Sequence, residues 1–123
     1  MALVLNPAAR NVMANAIATA MSGGTLLIQA GAGNTLATVV LPTPAFGAAV
    51  DGVVTLRATN EVLATKAGRA DRFRVQSADG LTMVEGTITG TGGGGDAILP
   101  TTDLLVGVAL RVTGMTFRML ETA

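Results

Sequence analysis

Residues 71–89 read DRFRVQSADGLTMVEGTIT, and this stretch decides the fold class. In its first half Phe73 and Val75 alternate with Arg72 and Arg74. That period of two is typical of a strand with one buried and one exposed face. Asp79-Gly80 favours a tight turn, after which a second apolar run follows. The stretch therefore predicts a β-hairpin whose two strands cover residues 71–77 and 81–89.

Further short strands are predicted on both sides of this hairpin. Apolar runs of similar length recur along the chain, separated by Gly, Pro and Asn-rich turns. Residues 60–70 fit either a single helical turn or a loop. Residues 90–96 contain five glycines, which predicts a mobile loop. The additional predicted strands cover residues 25–30, 35–41, 53–59, 104–112 and 115–119.

One helix is predicted at the N-terminal end, over about residues 7–22. Asn6 is a favourable N-cap, Pro7 suits the first helical position, and Gly23-Gly24 favours a stop. The helix either caps the strands or packs against another copy of the chain. Its apolar residues recur at helical spacing on one face, namely Val12, Met13, Ala16, Ile17, Ala20 and Met21.

These elements predict a single, mainly β domain over residues 1–123. Because no second helix is available to connect parallel strands, the sheet should be mainly antiparallel. The expected architecture is an antiparallel β-sandwich or barrel of about seven strands with one N-terminal α-helix. The strands should occupy about residues 25–120.

The composition favours association and disfavours several kinds of chemistry. Hydrophobic residues make up 50% of the chain, charged residues 13%, and the formal net charge is zero. Weakly charged surfaces tend to associate, although an Ala- and Gly-rich protein of a GC-rich genome would show the same bias. The chain has no His, Cys, Trp or Tyr. Its balanced charge and its lack of a long apolar run predict neither nucleic-acid binding nor a membrane span.

Two glycine-rich stretches resemble phosphate-binding loops only in part. Gly31-Ala32-Gly33 follows a predicted strand, but Leu36 stands where a dinucleotide-binding turn needs a small residue. The run 92–95 is followed by Asp96-Ala97 and not by the Lys and hydroxyl residue of a P-loop. We interpret both as turns or loops and predict no cofactor.

The acidic residues do not form a recognisable catalytic or metal-binding pattern. Asp51 and Asp79 each precede a glycine and are explained as turn residues. Two carboxylates facing across a cleft would suffice for glycoside hydrolysis, but no pair stands out by its spacing. We therefore predict no catalytic residue, no metal site and no small-molecule substrate.

Arg72 and Arg74 share one face of a predicted strand. This face is either exposed to solvent, with an ion pair to Glu85 across the hairpin, or in contact with an acidic neighbouring subunit. The candidate subunit contacts are Arg72, Arg74, Val12, Met13 and Ile17.

Several turn and core patterns together resemble a known family. They are Gly23-Gly24-Thr25-Leu26, Leu36-Ala37-Thr38, Pro44-Ala45-Phe46-Gly47, Phe73-Arg74 leading into Asp79-Gly80, and Glu85-Gly86-Thr87. From Ala8 to Leu120, the chain is similar to small structural proteins of tailed bacteriophages and prophages. The Arg-rich strand and the long glycine loop depart from that family.

The resemblance implies a virion component without catalytic residues. It would be made in the bacterial host cytoplasm and assembled with other virion proteins and with copies of itself. Its helix face and strand edges would form the contacts, in the capsid decoration, the neck or the tail. The alternative function is a receptor- or glycan-binding module of a phage tail or fibre, and a third is a small hydrolase.

Overall fold

A computed structural model describes residues 4–31, 33–57, 59, 61–81 and 83–118. Within these residues the chain forms one helix and eleven strands, so the mainly β fold with one N-terminal helix is confirmed. The elements are α1 (Pro7–Met21), β1 (Thr25–Gln29), β2 (Thr35–Val40), β3 (Val53–Thr55), β4 (Val62–Leu63), β5 (Gly68–Arg69), β6 (Arg72–Gln76), β7 (Met83–Gly90), β8 (Ala97–Leu99), β9 (Asp103–Leu104), β10 (Ala109–Leu110) and β11 (Gly114–Arg118).

Seven strands form one open, mixed sheet in the order β2-β1-β6-β7-β8-β11-β3. Because β2 and β3 lie at its two ends, this sheet is not a closed barrel. Five neighbouring pairs are antiparallel, as expected, but β7 and β8 are parallel. The remaining short strands pair as β4 with β10 and β5 with β9.

The parallel pair depends on the glycine loop between its strands. The loop folds back against β7, where the Gly95 N–H donates to Thr89 Oγ1 at 2.9 Å. A Cβ atom at Gly93 would lie 2.6 Å from the Thr89 Cβ, and one at Gly95 would lie 2.9 Å from the Thr89 nitrogen. Glycine is therefore required for so short a connection, and the mobility of the loop stays a prediction.

The hairpin of β6 and β7 is confirmed, with Phe73 opposite Gly86 and Arg74 opposite Glu85. The Arg74 guanidinium lies 2.7 Å from the Glu85 carboxylate, as one of the two interpretations of this face expected. In the turn, the Asp79 carboxylate accepts hydrogen bonds from the Ser77 hydroxyl and from the Leu81 N–H. These two bonds lower the pKa of Asp79 below its ordinary value.

Three phenylalanine rings from distant parts of the fold pack against one another. The ring centroids of Phe73 and Phe117 are 6.5 Å apart, and those of Phe46 and Phe117 are 4.9 Å apart. Phe73 is on β6 and Phe117 on β11, strands that would lie about 14 Å apart in a flat sheet. The sheet therefore curves around the face that carries these rings.

The single strand predicted over residues 104–112 is wrong. The chain forms β9 and β10 instead, separated by a turn in which the Val108 N–H donates to the Leu105 carbonyl at 3.0 Å. Gly107 adopts φ +86° in this turn, which lies outside the β region of a regular strand. The sequence does not reveal this break, because the turn itself contains two apolar residues, Leu105 and Val106, which are exposed in the structure.

Other predicted boundaries also change. The strand expected over 53–59 ends at Thr55, and Ala58 lies outside the described residues. The segment 60–70, expected as a helical turn or a loop, contributes β4 and β5, although Asn60 is not among the described residues. The last strand begins at Gly114, while Met119 lies outside the described part of the chain.

Helix α1 begins and docks through asparagine side chains. The side-chain oxygen Oδ1 of Asn6 accepts from the Ala9 N–H at 2.8 Å, which confirms the predicted N-cap. Asn11 and Asn15 accept from the backbone N–H groups of Gly52 and Ala49, at 2.8 and 2.9 Å. The hairpin turn at Asp51-Gly52, where both residues have positive φ, is thereby fixed to the helix.

Candidate functional site

An open groove of about 520 Å³ lies between α1 and the curved face of the sheet. Met13, Ala16 and Ile17 form its helical wall. Phe73 and Phe117, which are 1% and 6% exposed, form the opposite wall from β6 and β11. The groove is thus apolar on both sides and open to solvent.

The groove exists because two of the three residues that α1 buries, Ala14 and Ala18, have small side chains. The helix buries Ala14, Ala18 and Met21. Asn11 and Asn15 bind the turn at residues 49–52. The helix is therefore rotated so that much of its predicted apolar face is left uncovered. Val12 is 70% exposed and Met13 44% exposed, whereas Met21 at the end of that face is buried.

Val84 and three charged residues, Glu85, Asp96 and Arg118, also line the groove, although the Glu85 carboxylate itself pairs with Arg74 on the other face of the sheet. Asp96 is held in place, because its Oδ2 atom accepts from the N–H and the hydroxyl of Thr87 at 3.1 and 3.2 Å. A partner that enters the groove would therefore meet an apolar centre beside a fixed carboxylate. This arrangement can bind an apolar side chain or a helix face.

The candidate contact residues fall on two different surfaces. Met13 and Ile17 lie together in the groove, and the exposed Val12 lies next to Met13 on the helix. Arg72 and Arg74 flank Phe73 on β6, so strand alternation places them on the opposite face of the sheet. A contact with another subunit stays a prediction for each of these residues.

Phe73 and Phe117 both lie in strands that the sequence predicts, 71–77 and 115–119, but the sequence did not predict that they line a groove. The missing information was long-range, since β6 and β11 are separated by two strands in the sheet. The one local indication that the Phe73 ring lies across the neighbouring strand was Gly86. It lies opposite Phe73, and a Cβ there would be 2.6 Å from two carbons of the Phe73 ring.

Among the described residues, no three acidic side chains come together as a possible metal site. Within the same residues no helix has the length and apolarity needed to cross a membrane. Neither a family model, nor a curated protein, nor a solved structure matched this chain. The function is therefore argued from the surface itself.

Proposed function

We propose that the chain is a non-enzymatic structural subunit of a tailed-phage virion, which acts by packing against other virion proteins and copies of itself. The observation that carries this proposal is the uncovered apolar surface of α1 and the groove beside it. We define the helix strip as Val12, Met13 and Ile17. A partner seated on the strip and in the groove would gain about 25 cal/mol for each Å² of apolar surface removed from water.

The size and charge of the chain support an assembly role. A protein of 12.3 kDa with 13% charged residues has little surface on which to place an unused apolar groove. The turn and core patterns described above supply the connection to virions, by resemblance. The position in the particle that we propose is the capsid decoration, the neck or the tail.

Arg72 offers a second contact on the opposite face of the sheet. It is exposed and lies opposite Thr87, whereas its neighbour Arg74 is paired with Glu85. An acidic segment of a neighbouring subunit could therefore form an ion pair with Arg72, whereas the charge of Arg74 is already balanced by Glu85. We therefore assign Arg72 to a second, polar contact and the helix strip to the main one.

The helix strip gives a direct test of the assembly role in solution. We expect Met13→Glu to weaken self-association by about tenfold or more, because the contact would bury a carboxylate. Sedimentation velocity over a series of protein concentrations measures this change. The matched control is Leu81→Glu, which adds the same charge at a side chain that is 85% exposed on the hairpin turn and outside the groove.

Two outcomes would contradict the role of the helix strip. Equal association of the Met13→Glu and Leu81→Glu variants would exclude the strip as the contact surface. A wild-type protein that stays monomeric up to about 1 mM would exclude self-assembly through it.

A further inference from the structure

The two ends of the main sheet are not equivalent. Beyond β3 the edge is covered by residues 45–50, where the Gly47 N–H donates to the Thr55 carbonyl at 3.0 Å and Val50 bridges to Val53. Beyond β2, the described residues place no paired strand. The β2 edge therefore has no paired strand beside it among the described residues, although β4 lies close to β2 and Thr65 binds Leu36 near its N-terminal end.

The hydrogen bonds around β2 show which backbone groups point outward. The Leu41 N–H donates to the Gly24 carbonyl at 2.9 Å, so residue 41 faces β1. Alternation then turns residues 39 and 37 toward β1 and Thr38 and Val40 away from it. The Leu36 carbonyl also points outward and is occupied, since it accepts from the Thr65 N–H at 2.8 Å.

Thr38 and Val40 thus present two N–H and two C=O groups at the edge. No hydrogen bond from the described residues reaches these four groups. Both side chains are exposed, Val40 at 68%. Natural edge strands are often protected by a charged residue, a proline or a bulge; β2 (TLATVV) has neither charge nor proline, and its one irregularity lies at residue 36, outside the stretch 38–40.

We propose that the β2 edges of two copies of this chain pair with each other, antiparallel about a two-fold axis at Val39. In this register Thr38 lies opposite Val40 of the second copy, and Val40 opposite its Thr38. Each of these pairs exchanges two hydrogen bonds, so all four free groups of both copies are satisfied. The two sheets would then join into one.

The ends of β2 select this register over its neighbours. Pairing Thr38 with Thr38 of the second copy would set Val40 against Leu36, whose carbonyl is already bound by Thr65. Extending the chosen register would bring Pro42 opposite Leu36, and Pro42 has no N–H to donate. The edge therefore supports one short, self-complementary pairing.

The partner is a second copy because the edge complements itself. The β2 strand is uncharged, so two copies meet without repulsion, and the paired positions carry similar small side chains. The inference rests on the proposed function, because it specifies one contact through which identical subunits assemble.

Disulfide trapping tests this register, since the chain has no cysteine of its own. Directly opposed residues of such a pair have Cα atoms about 5.5 Å apart, within disulfide reach. We expect a mixture of the Thr38→Cys and Val40→Cys variants to form a covalent dimer on mild oxidation. Either variant alone should form little, because two identical positions lie on a diagonal of about 7–8 Å. Non-reducing electrophoresis of the mixture and of each variant measures the difference.

A second variant checks the same edge without cysteine. We expect Val40→Lys to weaken self-association by about tenfold. Val50→Lys is the matched control, since Val50 is 69% exposed and lies away from β2.

The outcomes separate this inference from the proposed function. A covalent dimer in the mixture alone supports the pairing. No covalent dimer, or an equal yield from a single variant, overturns it. If the pairing fails while Met13→Glu still weakens association, the proposed function stands. A wild-type chain that is monomeric at every concentration and absent from virions would overturn both.

Discussion

Gly24→Ala is expected to lower the free energy of unfolding by more than about 4 kcal/mol, or to prevent folding. Gly24 joins α1 to β1, and a Cβ atom there would overlap the backbone carbonyl oxygen of Gln76. That carbonyl cannot move aside, because Gln76 is held between Thr25 on β1 and Met83 on β7. The methyl group would therefore separate the helix–strand junction from the hairpin.

Urea unfolding followed by circular dichroism measures this loss, since the chain has no Trp or Tyr for intrinsic fluorescence. The matched control is Gly47→Ala, because a Cβ at Gly47 has nothing within 4 Å. We expect the control to stay within about 0.5 kcal/mol of the wild type. A Gly24→Ala variant as stable as this control would contradict the junction described here.

Phe73→Ala should cost about 3–5 kcal/mol of unfolding free energy. The Phe73 ring is 1% exposed, lies over Gly86 and approaches the ring of Phe117. Its removal would leave a cavity on the concave side of the sheet, which the strands can fill only by curving more tightly. The same urea titration measures the loss, and Leu81→Ala, at a side chain 85% exposed, is the control.

A double-mutant cycle tests whether the Phe73 ring is what excludes a side chain at Gly86. Gly86→Ala alone should cost about 1–3 kcal/mol, because its Cβ would lie 2.6 Å from the ring. In a Phe73→Leu background the same change should cost less, with a coupling of about 0.5–3 kcal/mol. Additive costs would show that the neighbouring Asp96 carboxylate, or the strand itself, sets the requirement for glycine.

The parts of the fold that depend on local pattern could be predicted from the sequence. The hairpin at 71–89 carries both its alternation and its Asp79-Gly80 turn within one stretch. The helix likewise carries its own cap, Asn6, and it ends at Met21, just before Gly23 with its positive φ. In both cases the deciding interactions join residues that are close in sequence.

The errors arose where distant contacts or one backbone angle decided the structure. The positive φ of Gly107 divides an alternating run that has every other property of a strand. The parallel pair of β7 and β8 depends on the packing of Gly93 and Gly95 against Thr89. The number of glycines in the loop predicts a loop but not this packing. A pattern of apolar residues carries neither kind of information.

The candidate site could be predicted only in part. The spacing of Met13 and Ile17 placed both on one apolar helix face, and both line the groove. The rotation of that helix was not predictable, because it depends on Asn11 and Asn15 binding the distant 49–52 turn. The groove itself needs three elements that only the folded chain brings together.

Quantitative mass spectrometry of purified virions tests the central claim most directly. The virions would be those released after phage induction in cells that encode this chain. We expect the chain to be present in a fixed ratio to the other structural proteins, with many copies per virion. If the cells express the chain but the virions that they release do not contain it, the proposed role as a virion subunit is contradicted.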